Sequence, residues 1–289
     1  MKQRAQGFTL VELIVVMVVM GILAGILVTF FTPAISNYFA TSRRAALSDV
    51  ADGAMRHMSR DVRVSVPNSV RSWGNQCIET VPTSAGGRYR NAPDTQWDAA
   101  HTAPNLSAYA QPGMNFTQFD VFTDLSASAN DWVVVGNQNP DDLYPAISTN
   151  RSKIASIAAP PDASLGRHRV TLASSMQVPA GYDGARFVVV PGGQGPVSYI
   201  CQNAGIDPAT GTGKGTLLRV TGYGFGGNSC PAPGANPAIV ASHVASCTFR
   251  YDPNPGATQE SGYVEVDITL QEANEFVRLF FGVHVDNVP

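Results

Sequence analysis

Lysine is scarce in this chain, occurring only at Lys2, Lys153 and Lys214, and charged residues of all kinds make up 14% of the 289 positions, against roughly a quarter in an ordinary globular domain. With a formal net charge of −3, the sequence offers no basic footprint of the kind nucleic acid requires. It also lacks the polybasic patch of a peripheral membrane binder. Closely spaced cysteines are missing too. Cys77, Cys201, Cys230 and Cys247 stand apart with no C-x-x-C among them, which argues against a zinc knuckle or a thioredoxin-type centre. The five histidines, His57, His101, His168, His243 and His284, form neither H-E-x-x-H nor H-x-H, so there is no zinc-hydrolase signature. A G-x-S-x-G nucleophile elbow is absent as well.

Two glycine patterns fail on their context. Gly222-x-Gly224-x-x-Gly227 matches a dinucleotide fingerprint in form, but Asn-Ser-Cys-Pro-Ala-Pro-Gly follows it and cannot open the helix that binds the pyrophosphate. Gly211-Thr-Gly-Lys-Gly-Thr suggests a P-loop, yet Pro208 stands where the first glycine belongs and Gly215 replaces the Ser/Thr, so a hairpin turn is the better reading. Asp141, Asp142 and Asp162 lack EF-hand spacing and read as solvated turn acids. Trp73, Trp97 and Trp132 read as core or loop residues in preference to a sugar-binding surface. No catalytic residue, metal ligand or cofactor-binding residue emerges, and no cofactor is expected.

What the sequence does have is an apolar run. Residues 1–7 (MKQRAQG) are short, polar and positive through Lys2 and Arg4. Phe8 to Phe31 then gives 24 residues with one ionisable group, Glu12, and about 20 apolar residues suffice to cross a bilayer. Because Lys2 and Arg4 precede the run, the N-terminus is expected to stay cytoplasmic and the body to be exported. An ordinary secretory signal places its small-residue cleavage site after the apolar core. Here the small residue, Gly7, comes before it, so a cut there removes only the charged leader. Glu12 is then the anomaly: a carboxylate inside a span costs about 2.5–3.5 kcal/mol or more. The cation available to it is the α-amino group that cleavage would create at Phe8, on the same subunit or a neighbour. Such a pair gives register, because breaking it leaves one buried charge without the other. Gly21 and Gly25 form a small-x-x-x-small pair that permits close helix approach, although glycine is common in membrane helices generally.

The helix is predicted to continue to about Val66, where Pro67-Asn68-Ser69 ends it, for a length of roughly 90 Å at 1.5 Å per residue. Pro33 is a potential kink. Ile35, Phe39, Leu47, Val50, Ala54, Met58 and Val62 recur at helical spacing and predict a stripe packed on the body. Beyond Pro67 the pattern becomes that of an antiparallel sheet with Gly/Pro turns. Strands are predicted at 119–125, 132–136, 168–173, 186–190, 197–201, 216–223, 247–251, 263–271 and 275–285. Tyr263 to Leu270 alternates cleanly, which indicates one wet face. Segments 82–113 and 202–215 read as long surface loops. Four dispersed cysteines suit two disulfides in an oxidising compartment. Sequence does not choose among the three pairings, but the nearness of Cys230 and Cys247 favours Cys230–Cys247 with Cys77–Cys201.

Gly7-Phe-Thr-Leu-Val-Glu12, followed by the apolar span, resembles the processing site of type IV pilins and pseudopilins. The resemblance implies an α+β pilin-like fold: a long N-terminal α-helix with an antiparallel β-sheet body. It implies a prepilin peptidase that cuts after Gly7 and methylates the amine of Phe8, and it makes Glu12 the assembly residue. The expected organisation is a leader at 1–7, a transmembrane and filament-core helix at 8–31, an amphipathic helix at 32–66 and a β-rich periplasmic body at 67–289. The expected partners are the peptidase, other pilins, an inner-membrane assembly platform and membrane lipid. A body of more than 200 residues suits a minor pilin or a J-type minor pseudopilin of type II secretion. Cys77-Ile-Glu-Thr-Val-Pro82, Gly87-Arg-Tyr-Arg90 and Val283-His-Val-Asp-Asn-Val-Pro289 are similar to minor pilins of the mannose-sensitive haemagglutinin (MSHA) pilus. An adhesin-like role through the 82–113 segment is the alternative of a different kind.

Overall fold

The computed structural model describes residues 9–234, 237–253 and 261–286. One helix dominates: α1, Leu10–Arg63, 54 residues long and about 81 Å at 1.5 Å per residue. Thr9 caps its start and Val64 its end, and it runs continuously through Pro33. After it come β1 (Arg71–Trp73), β2 (Cys77–Thr80), β3 (Ala85–Arg88), α2 (Thr95–Ala100), β4 (Asn115–Val121), β5 (Trp132–Val135) and α3 (Pro140–Leu143). The chain continues as β6 (Arg151–Ala158), β7 (His168–Gln177), β8 (Arg186–Val190), β9 (Val197–Gln202), β10 (Ile206–Asp207), β11 (Thr212–Gly213) and β12 (Gly215–Thr221). Three long strands, β13 (Ala238–Asp252), β14 (Ser261–Glu272) and β15 (Glu275–Asp286), complete it.

The α+β architecture is the one expected, a long apolar helix followed by an antiparallel body, but the body holds two large sheets. The first has seven strands in the order β1-β2-β9-β12-β13-β14-β15 and the second six, in the order β3-β8-β5-β6-β7-β4. In the second, Tyr89 bridges to Val121, Phe122 N–H donates to the Arg88 carbonyl at 3.1 Å and Arg90 N–H to the Asp120 carbonyl at 2.8 Å. These bonds bring the two edge strands together and curl the sheet around Phe119, Val133, Ile154, Met176 and Phe187.

The C-terminal half of α1 lies on the seven-stranded sheet. Leu47, Ala51, Ala54, Met55, Met58 and Val62 are buried against Tyr199, Leu217, Phe249 and the inward residues of β14. The alternation read at Tyr263 to Leu270 holds, with every second residue of β14 buried. The predicted helical stripe is shorter and narrower than its periodicity implied: Ile35 and Phe39 are exposed because the body covers the helix only from Leu47 onward, and Val50, within the covered half, is also exposed while its neighbour Ala51 is buried. Asp61 fixes the helix to the sheet. Its carboxylate accepts from the Tyr199 hydroxyl at 2.8 Å and from Arg219 Nε at 2.8 Å. Burial, followed by the Asp61 charge, pushes the Tyr199 hydroxyl far above its ordinary pKa.

The two sheets meet at Val66, Val81, Val134, Leu143, Tyr144 and Val190. A polar knot lies beside this seam. Buried Glu79 pairs with Arg71, accepts from the Tyr223 hydroxyl at 2.5 Å, and Arg71 stacks 3.4 Å over the Tyr144 ring. Arg151, also buried, donates to the carbonyls of Leu143 at 2.9 Å, Pro145, and Ala146 at 3.3 Å. Desolvation lowers its pKa to about 10.

Several expectations are corrected. The disulfides are Cys77–Cys230 and Cys201–Cys247, with Cα separations of 6.1 and 6.2 Å, and not the pairing that chain proximity favoured. Cys201 is on β9 and Cys247 on β13, which converge at the β1–β2 turn, where Cys201 N–H donates to the Gln76 carbonyl and Phe249 N–H to the Asn75 carbonyl. The 82–113 segment contains β3 and α2, and 202–215 contains the β10–β11 hairpin, whose turn falls at 208–211, so that of the glycine-lysine run only Gly211 is in the turn, Thr212-Gly213 forms β11 and Gly215 starts β12. Strands β1, β2, β3 and β6 were not anticipated. The tryptophans pack: Trp132 meets Phe225 edge-on at 5.3 Å, Trp97 stacks on His101 at 3.7 Å, and Trp73 lies under Arg71 at 4.4 Å.

Non-reducing peptide mapping is predicted to recover Cys77 linked to Cys230 and Cys201 linked to Cys247; a Cys230–Cys247 peptide would contradict the fold. Asp61→Ala, which strands Arg219 and the Tyr199 hydroxyl, is predicted to lower unfolding free energy by about 2 kcal/mol. Urea denaturation of the detergent-solubilised chain measures this, and a change within error would show that the contact does not hold the helix.

Candidate functional site: the N-terminal helix

The helix begins where its sequence says it should. Thr9 takes an extended backbone conformation and its hydroxyl accepts from the Glu12 N–H at 3.3 Å. This is the forward half of a T-x-x-E capping box, a signal carried by the local sequence Thr9-Leu-Val-Glu12. The same hydroxyl lies 3.5 Å from the Glu12 carboxylate. A carboxylate in the first turn is favoured by the unsatisfied N–H groups of the helix start. Among the described residues the Glu12 carboxylate has no cationic partner; its hydrogen-bond contact is with the Thr9 hydroxyl. Gly7 and Phe8, the expected processing residues, lie outside the described residues.

From Leu10 to Phe31, 17 large apolar side chains are exposed, from 47% at Val16 to 75% at Leu10. At about 1.5 kcal/mol each, removing them from water is worth on the order of 25 kcal/mol. That exceeds the roughly 5–15 kcal/mol net stability of a whole domain, so this surface demands a non-aqueous cover. The body provides none: α1 residues are buried only from Leu47 onward. By length and composition the helix can cross a membrane. Its internal polar groups suit that solvent, since lipid offers them no partner. Thr29 Oγ1 donates to the Ile26 carbonyl at 2.9 Å, Thr32 Oγ1 to Val28 at 2.7 Å and Ser36 Oγ to Pro33 at 2.9 Å.

A Cβ built at Gly21 or Gly25 meets nothing within 4 Å. Neither glycine is therefore required by contacts inside this chain, and the space each leaves is open to a neighbour. The four cysteines lie in the body and take no part in this region.

Gly25→Leu is predicted to leave the unfolding free energy of the body, measured in urea, within about 0.5 kcal/mol of the parent, as for a surface change away from special features, while weakening self-association in detergent micelles. Unchanged association, measured by crosslinking or sedimentation, would remove the glycine pair from helix contact.

The prokaryotic N-terminal methylation motif matches residues 2–28 of this chain. No curated protein and no solved structure matches it. The chain therefore carries a type IV pilin-like N-terminal signal, set on an apolar helix consistent with membrane anchoring and joined to an antiparallel body.

Proposed function

We propose that this protein is a minor pilin: a non-enzymatic structural subunit of a type IV filament, held in the inner membrane before assembly. The observation that carries this reading is Glu12, a carboxylate without a cation among the described residues, set at the head of a 54-residue helix inside the methylation motif. In this reading the N-terminus is cytoplasmic and the body periplasmic. A prepilin peptidase removes residues 1–7 after Gly7 and methylates the amine of Phe8. An N-methylated amine remains cationic, so Glu12 gains an ion-pair partner only through processing. In lipid the carboxylate costs about 2.5–3.5 kcal/mol or more, and pairing with a neighbour's amine relieves that cost only in one axial register. The apolar side chains then exchange lipid for other pilin helices at the assembly platform, with Gly21 and Gly25 allowing close approach.

The body favours a minor subunit. Two sheets and more than 200 residues are a large load for each copy in a filament. The MSHA-pilus assignment rests on the three short stretches around Cys77, Gly87 and Val283. A J-type minor pseudopilin of type II secretion is the second reading, on the same ground of body size.

Mass spectrometry of the mature protein is predicted to find N-methylated Phe8 as the first residue. Glu12→Ala is predicted to insert into the membrane normally but to be depleted at least tenfold from sheared filaments. Retention of Met1, loss of the whole apolar stretch, or normal incorporation of Glu12→Ala would refute the assembly mechanism.

A further inference from the structure

The Gly87-Arg-Tyr-Arg90 stretch has no role in assembly through α1, yet the fold gives it an unusual setting. Alternation along the strand turns Tyr89 into the core of the curled sheet, where it is 3% exposed, and leaves Arg88 on the outer face. Arg88 is the direct cross-strand partner of Arg186. On its other side the antiparallel bridge of Tyr89 to Val121 sets Arg88 opposite Phe122, with the Phe122 N–H donating to the Arg88 carbonyl. Arg186, Arg88 and Phe122 thus form one row across β8, β3 and the residue that follows β4.

Like charges directly opposite each other on a sheet are destabilising, and sheets normally place an acid there. Here neither Arg88 nor Arg186 makes an ion pair or side-chain hydrogen bond among the described residues, while nearby Arg90 and Arg167 are each matched to an aspartate. The two arginines line an open cleft of about 710 Å³ together with Asn91, Phe122, Tyr182 and Asp183, within the size range of small-ligand sites. Phe122 is 46% exposed, with the Arg90 guanidinium 5.2 Å from its ring centre.

We propose that this cleft binds an acidic saccharide through its carboxylate. Two guanidinium groups side by side supply the planar, forked donors that match a carboxylate. Phe122 presents an aromatic surface for the C–H face of a sugar ring, and the Asn91 amide donates to and accepts from hydroxyls. Asp183 selects the charge of the ligand: its carboxylate, in the same cleft, repels a dianion such as a phosphate monoester more strongly than a single carboxylate. The site is independent of assembly, so a Glu12→Ala chain that fails to enter filaments retains it.

The test is calorimetric titration of the full chain in detergent micelles with a trimer of galacturonic acid, its neutral galactose counterpart, and a single-stranded DNA oligonucleotide. The galacturonate trimer is expected to bind and the neutral trimer to bind at least tenfold more weakly. Arg88→Gln and Arg186→Gln are each expected to lose at least tenfold in affinity, with a thermal midpoint equal to or above the parent because a like-charge contact has gone. Arg88→Lys, which keeps the charge and loses the fork, is expected to fall between. Absence of galacturonate binding, equal binding of the neutral trimer, tighter binding of the oligonucleotide, or parental affinity in Arg88→Gln with Arg186→Gln would each overturn the proposal.

Discussion

The exposed apolar half of α1 is the constraint that the rest of this molecule answers to. Seventeen large side chains between Leu10 and Phe31 meet no part of their own chain. A body that folded back over them would need a second hydrophobic surface, and both large sheets commit their inner faces elsewhere. The helix is therefore a single rod shared between two solvents. Its lower half requires lipid or other helices, and its upper half is one layer of a water-soluble core. The switch falls between Phe39, which is exposed, and Leu47, which is buried. The anchor at Asp61 lies well inside the upper half, so load transmitted along the rod reaches the sheet through a charged contact as well as through side-chain packing.

Within that frame Glu12 has a definite physical role. The helix start tolerates it, because Thr9 caps the same turn and the exposed N–H groups favour negative charge. Among the described residues the fold supplies it no cation. The proposed reading of this chain as a filament subunit follows from that gap and from the methylation motif at residues 2–28. The remaining functional surface lies far along the chain, in a curled sheet that α1 does not need for its own burial.

The two sheets divide the labour of the body. The seven-stranded sheet holds the helix and carries the Cys201–Cys247 bond beneath it. The six-stranded sheet builds a separate core around Phe119 and Phe187, and its outer face presents Arg88, Arg186 and Phe122. Between them, Glu79, Arg71, Tyr144 and Tyr223 form a satisfied polar seam that favours one relative arrangement, since shifting it strands a buried charge.

The sequence by itself determined whatever depends on neighbours within a few residues. The apolar run, the placement of Gly7 and Glu12 around Phe8, the Thr9 cap and the two-residue alternation of Tyr263 to Leu270 are local patterns, and helices and half-wet strands are written in local periodicity. Tertiary structure alone decided what depends on strand order. Cys77 joins Cys230 across 153 residues because the loop that follows β12 packs back against β2. The small and polar run Arg151–Ala158 is a strand because β5 and β7 flank it, and β13 starts at Ala238 because β12 pairs with it. Ile35, Phe39 and Val50 share the periodicity of Leu47 and Met58 yet face outward, because periodicity names a face of the helix and only the fold decides how much of that face is covered. The juxtaposition of Arg88 with Arg186 is of the same kind: 98 positions separate them in the chain, and only the register of β3 on β8 makes them one site.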